Sequence, residues 1–410
     1  MCEMTIQDIR LQFPQLSEKV YGKPLVYLDN AATILRPQSV IDKWVELSSK
    51  MNSNLHRAVH KIAADATEEY ESTRDAVKEY LGASSREEII FTAGATASLN
   101  LVARCFGEAF LSEGDEVIIA ESEHHSDIVP WQMECQKRGA KIKVLPVDED
   151  GILQIERLPE MITERTKILC VAHISNVLGL VNPVKEIVNI CHSRGCKVLV
   201  DGAQGIVHEK VDVQDMDCDF YAFSGHKMYA APGTGVLYGK KELLEQMPPF
   251  LGGGEMIGTV SWEHTTYAPL PQKYEAGTQN MAGTPTLKPA IEMMKLLKEE
   301  EMLKYQNDVR DYVLNELQND PRIRLFGVPR GTVEKIALFS FAVEGVHHED
   351  LALILDKMGV AVRSGQMCAE PLMDRFGVTG MLRASFAPYN TLEEAEYFIK
   401  SLNRAIDMLR

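Results

Sequence analysis

The chain has 410 residues, and its 43 basic and 59 acidic side chains give a formal net charge of −16 with histidine neutral. This charge argues against nucleic acid or an anionic membrane surface as the main partner. Hydrophobic residues make up 45% and charged residues 25% of the chain, which excludes disordered and collagen-like proteins. At about 150 residues per domain, the length predicts two or three domains.

The apolar runs are short. The run around Val117–Ala120 falls far below the ~20 residues that a bilayer-spanning helix needs, so we expect no membrane span. Residues 1–5 lack the basic region, apolar stretch and cleavage site of a secretion signal. We therefore expect a cytoplasmic protein.

The cysteines form no CxxC pair, and reduced thiols are expected in a chain of this kind. The eight positions are Cys2, Cys105, Cys135, Cys170, Cys191, Cys196, Cys218 and Cys368. Cys191, His192 and Cys196 are close enough in sequence to suggest a metal ligand set. They immediately precede an apolar strand, however, so burial is the favoured interpretation and no metal is predicted.

The predicted elements begin with a helix led by Pro37 and a longer amphipathic helix over Ile62–Leu81. From Gly82 to Lys240, short β-rich runs then alternate with helical stretches. The predicted strands are Ile89–Phe91, Val117–Ile119, Ile142–Val144, Ile168–Val171 and Val198–Val200. Alternation of this kind is typical of βαβ units on a mostly parallel sheet.

A Gly- and Pro-rich stretch, Pro248–Pro285, is long for a plain linker and predicts a functional loop or hairpin. A smaller α/β domain is predicted after it. Its elements are one long helix over Thr286–Leu317, strands at Ile323–Leu325 and Ile336–Phe341, a helix over Asp350–Met358, strands near Val360 and Leu382, and a helix from Leu392. We predict a segment 1–25 that packs on the small domain, a large domain 26–290 and a small domain 291–410.

Lys227 and Asp201 follow two of the apolar strands. Partial burial of Lys227, beyond Phe220–Ser224, would lower its pKa and make the amine a nucleophile toward a carbonyl. Asp201 directly follows Val198–Val200, and the carboxyl ends of parallel strands face one crevice, so the two side chains could converge. The alternatives are a solvated loop lysine and a helix-capping aspartate.

Two further polar turns lie at predicted strand ends. Gly94-Ala95-Thr96 opens a helix whose free N–H groups and dipole form an anion site, without the glycine spacing of a Walker or dinucleotide motif. His124 and His125 put an imidazole at the same edge. Metal binding by this pair is the alternative, but no matching ligand spacing supports it.

In chain order, a phosphate turn, an imidazole, a carboxylate and a lysine resemble the pyridoxal 5'-phosphate (PLP) enzymes of the aspartate aminotransferase fold. Residues 363–371 (RSGQMCAEP) and 382–391 (LRASFAPYNT) narrow the resemblance to a cysteine desulfurase of the Suf type, within the class-V aminotransferase group. Further similar segments are 27–32, 56–57, 174–179, 252–254 and 275–278. The resemblance implies an α/β PLP-dependent transferase fold, with a large, mostly parallel sheet and a smaller C-terminal domain that carries the catalytic cysteine loop.

The resemblance also implies how the cofactor is held. Lys227 would form the Schiff base and move the α-proton, while Asp201 would pair with the pyridine nitrogen. The other implied contacts are Gln204 to the ring hydroxyl, His124 stacked on the ring and assisting proton transfer, Thr96, Ser224 and His226 to the phosphate, and Thr278 to the phosphate site of the neighbouring subunit of a homodimer.

For the substrate, the resemblance implies that Arg383 grips the carboxylate of L-cysteine, assisted by Asn176, and that Arg363 adds positive charge. The Cys368 thiolate would attack the substrate sulfur, which yields alanine and a persulfide on Cys368. A protein acceptor would then take the sulfur for iron–sulfur cluster assembly. The alternative is that Cys368 is an unreactive structural thiol.

The sequence departs from the family pattern at two places. Gln366 and Met367 stand where many Suf-type members have two histidines, and neither side chain can act as a general base. Ala97 stands where related sequences often have an acidic residue. Alternative functions are a selenocysteine lyase, an aminotransferase or epimerase of the same superfamily, and a catalytically weak scaffold for a cluster-assembly partner.

Overall fold

A computed structural model describes residues 5–410, apart from the side chain of Glu300. Cys2 lies outside the described residues. Across this range, no helix combines the length and the apolar character needed to cross a membrane.

The helices of the described chain range from one to six turns. They are Ile6–Arg10 (α1), Gln38–Lys50 (α2), Lys61–Leu81 (α3), Ala95–Phe110 (α4), His125–Arg138 (α5), Leu158–Met161 (α6), Val184–His192 (α7), Gly205–His208 (α8), Val213–Met216 (α9), Lys241–Gln246 (α10), Leu287–Leu297 (α11), Glu300–Asn319 (α12), His348–Lys357 (α13), Glu370–Phe376 (α14) and Leu392–Leu409 (α15).

The strands of the same range are short. They are Lys19–Val20 (β1), Lys23–Pro24 (β2), Val26–Tyr27 (β3), Ile89–Thr92 (β4), Glu116–Ala120 (β5), Lys141–Leu145 (β6), Thr166–Ala172 (β7), Lys197–Asp201 (β8), Phe220–Ser224 (β9), Gly235–Gly239 (β10), Ile257–Val260 (β11), Thr265–Tyr267 (β12), Ile323–Phe326 (β13), Leu338–Val343 (β14), Val360–Ala361 (β15), Arg363–Gly365 (β16) and Met381–Ser385 (β17).

Seven strands form the central sheet, in the order β4-β10-β9-β8-β7-β5-β6. The run from β9 to β6 is parallel, and β10 is antiparallel to both of its neighbours. The predicted α/β class with a large, mostly parallel sheet is confirmed.

Helices cover both faces of this sheet, which explains why its strands are continuously apolar. Within β8, Val198 and Val200 pack into one core cluster and Leu199 into the other, as the two-residue repeat of a strand requires. Helices α4 and α5 contribute to the second cluster through Phe106 and Trp131. The strands are thereby fixed so that their carboxyl ends meet at one edge.

A second sheet, β13-β14-β17-β16, is antiparallel throughout and packs its core against α12, α13 and α15. Strand β3 pairs in parallel with β15, and Asp29 bridges to Ser385. In the N-terminal segment, Arg10 donates to the carbonyl of Tyr389 at 2.6 Å and to Glu394 at 2.7 Å. The division at residues 25 and 290 stays a prediction, and the second boundary lies within α11.

The long helix predicted over Thr286–Leu317 is wrong, because the structure has two helices, α11 and α12. Glu299 between them is extended, with φ −64° and ψ 148°. The neighbouring Lys298 side chain turns inward and donates to Tyr80 Oη at 3.1 Å and to the carbonyl of Ile206 at 3.2 Å. These tertiary contacts fix the break, and the sequence has no Gly or Pro there to signal it.

The predicted hairpin in Pro248–Pro285 is present as β11 and β12. The burial interpretation of Cys191 and Cys196 also holds, since neither side chain is exposed. His192 instead bonds to Asp219, at 2.7 Å. Within residues 5–410, no group of three or more His, Cys, Asp or Glu side chains is arranged to hold a metal ion.

Candidate active site

A cavity of about 210 Å³ lies at the carboxyl edge of the central sheet, where the C-terminal part of the chain closes over it. Ten of the predicted site residues line it. They are Thr96, His124, Asn176, Asp201, Ser224, His226, Lys227, Arg363, Cys368 and Arg383. Two described residues of the predicted set, Gln204 and Thr278, lie outside this lining.

The turn before α4 forms an open cradle for an anion. Gly94 has φ +150°, and the N–H of Ala95 donates to Ser224 Oγ at 2.8 Å. A Cβ on Gly235 would come within 2.4 Å of the Gly94 backbone, so β10 passes too close to this turn for any other residue. Thr96 opens the helix with the hydroxyl at the cavity, where the first-turn N–H groups have no intrahelical acceptor.

Lys227 ends the short 3₁₀ turn that follows β9. Burial lowers the pKa of its amine; the charges of Arg383 and Arg363 act in the same direction, while Asp201 opposes them. A larger neutral fraction makes this amine a better nucleophile toward a carbonyl carbon.

Asp201 ends β8 and is 7% exposed. Its Oδ1 accepts the N–H of Ala203 at 2.8 Å. Burial raises the pKa of this carboxyl, and the Lys227 charge lowers it. A buried carboxylate at the cavity wall is suited to pair with a protonated ring nitrogen.

His124 caps the N-terminus of α5, with Nδ1 accepting the N–H of Ser126 at 3.0 Å. Burial, followed by the Lys227 charge, lowers its pKa to about 4. The ring is therefore neutral near pH 7. Because Nδ1 is an acceptor, the proton lies on Nε2.

His226 and Gln204 support the strand-end turns. Burial lowers the pKa of His226 to about 4, and its Nδ1 lies 3.2 Å from Thr33 Oγ1. Gln204 Nε2 donates to the carbonyl of Ala31 at 2.8 Å, and Gln204 lines a much smaller void that also touches Lys227. Its predicted contact to a ring hydroxyl stays a prediction.

Thr278 is exposed and lies in a separate groove that also contains Ala97. Its loop is held by Glu275, which forms a bidentate ion pair with the fully buried Arg74 at 2.7 and 2.9 Å. If Thr278 acts in the active site of a neighbouring subunit, it must lie outside the cavity of its own chain, and it does. That role stays a prediction.

Arg363 and Arg383 lie directly opposite each other on β16 and β17. Like charges in this relation are destabilising, so the pair favours an anion at the cavity. Arg383 donates to the carbonyl of Asn176 at 2.7 Å and to Asp29 at 3.3 Å, which fixes the guanidinium. Burial lowers the pKa of Arg383 to about 10, against the opposing charge of Asp29.

Cys368 lines the cavity and is also exposed to solvent. Met367 and Cys368 have φ values of +54° and +58°, a left-handed conformation that is uncommon for side-chain-bearing residues. The carbonyl of Cys368 accepts the N–H of His125 at 2.8 Å, and that of Met367 accepts Asn176 Nδ2 at 2.9 Å. Two contacts from the central-sheet region therefore hold this strained turn.

The two departures before Cys368 have different surroundings. Met367 is 4% exposed and packs into the main core with Met373 and Phe376, whereas Gln366 is exposed. The Met367 side chain anchors the loop by packing, and it points into apolar surroundings where a histidine would lose hydration.

Two contributing residues, Ser126 and Asp29, were not singled out from the sequence, and for His125 the contact with the cysteine loop was not predicted. Ser126 Oγ lies 2.8 Å from Thr96 Oγ1, and Asp29 pairs with Arg383. His125 contacts the Cys368 loop through backbone and ring, since its Nε2 accepts the N–H of Glu370 at 3.0 Å. Asp29 lies in the similar segment 27–32, and His125 lies beside His124 at the predicted strand end, but neither position reveals the contact partner; Ser126 had no comparable signal.

The residues present fit PLP. An amine of lowered pKa, a buried carboxylate, a neutral imidazole and a hydroxyl-lined helix N-terminus surround one cavity. The buried Arg383 Nε has no hydrogen-bond partner within residues 5–410 and faces a site that already favours an anion. Each group matches one part of the cofactor or of an amino-acid carboxylate.

Comparison with known proteins agrees with this chemistry. Residues 26–398 match the family described as Aminotransferase class-V. The chain therefore belongs to the class-V aminotransferase family, whose members are PLP-dependent enzymes.

Within that family, the chain is similar to proteins named cysteine desulfurase. The chain is 44% identical over 407 residues to a probable cysteine desulfurase of Vibrio cholerae, covering 99% of this chain and all of that protein. The crystal structure of the Escherichia coli cysteine desulfurase CsdA, in its S-sulfonic acid form, matches with a TM-score of 0.91 at 40% identity over the full length of both chains. The apo cysteine desulfurase of Thermococcus onnurineus matches with a TM-score of 0.93 at 34% identity, also over both full lengths.

Proposed function

We propose that the chain is a PLP-dependent L-cysteine desulfurase that forms a persulfide on Cys368. The observation that supports this most directly is the double position of Cys368, at the cavity that contains Lys227 and at the protein surface. A thiol so placed can react with a bound substrate and then with a second protein. The cysteine desulfurases to which the chain is similar have this activity by name.

In this proposal, Lys227 holds the cofactor, with Asp201 at the ring nitrogen and His124 against the ring. Thr96, Ser224 and His226 hold its phosphate, Gln204 its ring hydroxyl, and Thr278 reaches the phosphate site of the partner subunit. When bound, PLP withdraws electrons from the substrate α-carbon, and thereby weakens the bond between Cβ and sulfur.

The chain's own residues orient the substrate and move protons. Arg383, with Asn176 and Arg363, binds the carboxylate of L-cysteine, so the α-hydrogen faces the Lys227 amine, which takes the proton. His124 contributes a neutral ring with its proton on Nε2, and this group can take part in proton transfer within the cavity.

Cys368 then takes the sulfur. Its Sγ attacks the substrate sulfur, the substrate Cβ–S bond breaks, and the new S–S bond leaves the outer sulfur on Cys368. The thiol proton and the electron pair released from the broken bond end on the methyl group of alanine. The reaction of cysteine with the enzyme thiol to alanine and enzyme persulfide thus balances without an external oxidant or reductant.

The partners are part of the proposal. A protein acceptor takes the outer sulfur from the exposed Cys368, for iron–sulfur cluster assembly. A second copy of the chain contributes Thr278, which makes the active form a homodimer. Sedimentation of the fully active enzyme as a monomer would contradict the dimer.

Cys368→Ala tests the function. The variant should keep the yellow cofactor and lose alanine formation from L-cysteine, because no thiol is left to accept sulfur. Desulfuration at the wild-type rate would contradict the proposal. Lys227→Ala is the matched control, since it should lose the borohydride-sensitive absorbance itself; absorbance without alanine release in the wild type would favour the scaffold alternative.

A further inference from the structure

A group of three buried carboxyl side chains lies at the active site. Glu123 and Asp127 flank His124, one before the N-cap and one in the first turn of α5, and neither is exposed to solvent. Asp201 of β8 is the third member of the group, because it lies opposite Ala172 in the sheet register and Glu123 accepts the N–H of Ala172. The group is therefore directly adjacent to the two residues that contact the ring in the proposed function.

These three carboxyl groups have unequal hydrogen bonding. Asp201 accepts the N–H of Ala203, and Glu123 Oε1 accepts the N–H of Ala172 at 2.8 Å. In the part of the chain that the structure describes, Glu123 Oε2 and both oxygens of Asp127 have no partner. Buried carboxylates normally accept several hydrogen bonds, so Asp127 has the fewest hydrogen bonds of the three to offset a negative charge, although the N-terminus of α5 acts in the opposite direction.

The charges around the group are also unequal. Asp201 faces the Lys227 ammonium, which favours its ionised form. Asp127 faces Glu123, Asp201, the neutral Trp131 indole and the Cys170 thiol, and Glu123 faces Asp127 and Asp201. No basic side chain is among these neighbours in residues 5–410, and two adjacent buried carboxylates of like charge cannot both ionise at little cost.

We propose that Asp127 is a neutral carboxylic acid in the working enzyme and that the Glu123–Asp127 pair thereby leaves Asp201 as the ionised carboxyl beneath the ring. Asp127 is a positioning residue: it acts through Glu123, Asp201 and the helix turn that presents His124, and it does not touch the substrate. Burial raises the pKa of both carboxyls. The charge of Asp127 adds to this at Glu123 and the charge of Asp201 adds to it at both, while the Trp131 indole N–H opposes it at Asp127; the net directions agree with this assignment.

Asp127→Asn is the direct test, because an amide has nearly the size of a neutral acid and cannot ionise. A buried carboxyl whose pKa is raised on folding destabilises the fold as pH rises above the unfolded value of about 4. The variant should therefore melt a few degrees above the wild type at pH 8, and the difference should vanish toward pH 4. At pH 7, kcat/KM for cysteine should stay within about threefold of the wild type.

Infrared spectroscopy gives a readout that needs neither substrate nor activity. The wild-type holoenzyme, labelled with ¹³C-aspartate, should show the shifted carbonyl stretch of a protonated aspartic acid at pH 7, and Asp127→Asn should lose that band. Asp201→Asn is the matched control. It should keep the band, yet shift the visible absorption of the cofactor and lose activity by at least about a hundredfold.

Three results would overturn the proposal: no protonated aspartate band in the wild type, a melting temperature of Asp127→Asn below the wild type at pH 8, or failure of that variant to fold. Loss of activity comparable to that of Asp201→Asn would do the same. The effect on the ring rests on the proposed cofactor, but the band and the melting profile do not depend on it. A negative result for the infrared band or the melting profile would therefore contradict this proposal without contradicting the desulfurase assignment.

Discussion

His125 contacts the cysteine loop twice: its backbone N–H donates to the carbonyl of Cys368 at 2.8 Å, and its ring Nε2 accepts the N–H of Glu370 at 3.0 Å. The two segments are far apart in sequence, and His125 begins α5 directly after His124. The helix that presents an imidazole to the ring site therefore also fixes the loop that carries the thiol.

Removing the His125 ring should slow sulfur transfer to Cys368. His125→Ala keeps the backbone contact and loses the one to Glu370, whose net value is ~0.5–1.5 kcal/mol, so we expect a fall of about 2–10-fold in the single-turnover rate of persulfide formation. KM should change little, because the carboxylate site is intact. Glu370→Gln, which keeps the backbone N–H and changes only the carboxylate that lies 3.9 Å from the ring Nε2, is the control and should behave like the wild type. Equal effects of both variants would rule out the ring contact as the cause.

The packing of Met367 should matter for the same loop. Met367→Ala removes a buried side chain and should lower the free energy of unfolding by ~2–5 kcal/mol, measured in urea. Met367→Leu nearly conserves the volume and should cost less than ~1.5 kcal/mol. If both variants are as stable as the wild type, the side chain does not anchor the loop.

The ion pair between Arg74 and Glu275 should be essential to the loop that carries Thr278. Arg74→Ala leaves the buried Glu275 without a charged partner and with only the N–H of Phe91 as a donor, so we expect a loss of ~3–5 kcal/mol in unfolding free energy. The exposed pair Lys61–Asp65 offers a control, since Lys61→Ala should leave the free energy of unfolding nearly unchanged. A small effect of Arg74→Ala would show that the buried pair is not what holds the loop.

His192 should make stability depend on pH. Its hydrogen bond to Asp219 raises the pKa of the imidazole in the folded state above the unfolded value of ~6.5. The stabilisation is therefore complete below pH ~6.5 and is lost as pH rises through the folded pKa. His192→Gln should flatten the melting temperature in that window, with His264→Gln in the exposed hairpin as the control. An unchanged pH profile in His192→Gln would contradict this linkage.

Selenocysteine distinguishes the two related enzyme activities. If the chain acts mainly as a selenocysteine lyase, Cys368→Ala should retain alanine formation from selenocysteine, because that reaction depends less on the loop thiol. If it is a desulfurase, the wild type should release alanine and accumulate Cys368 persulfide with L-cysteine. Alanine and persulfide assays on both substrates measure the difference.

The local sequence pattern predicted the elements that depend on neighbouring residues or on a regular hydrophobic repeat. The apolar strands of the central sheet and the strand-end positions of Asp201 and Lys227 follow from the two-residue repeat and βα alternation. The break at Lys298 did not, because its cause is a reach to Tyr80 and Ile206 across the fold. The opposition of Arg363 and Arg383 likewise depends on the register of two short strands.

The buried thiols limit where sulfur can go. Among residues 5–410, six cysteines are buried and Cys368 alone is exposed. Burial raises the pKa of Cys135 to about 11 and of Cys105 to about 12, so these thiols stay protonated and unreactive. A sulfur atom carried by Cys368 thus has no exposed second thiol to accept it within the described chain. In the proposed reaction, the sulfur on Cys368 would therefore leave by transfer to another molecule, and the concentration of that molecule would set the lifetime of the persulfide.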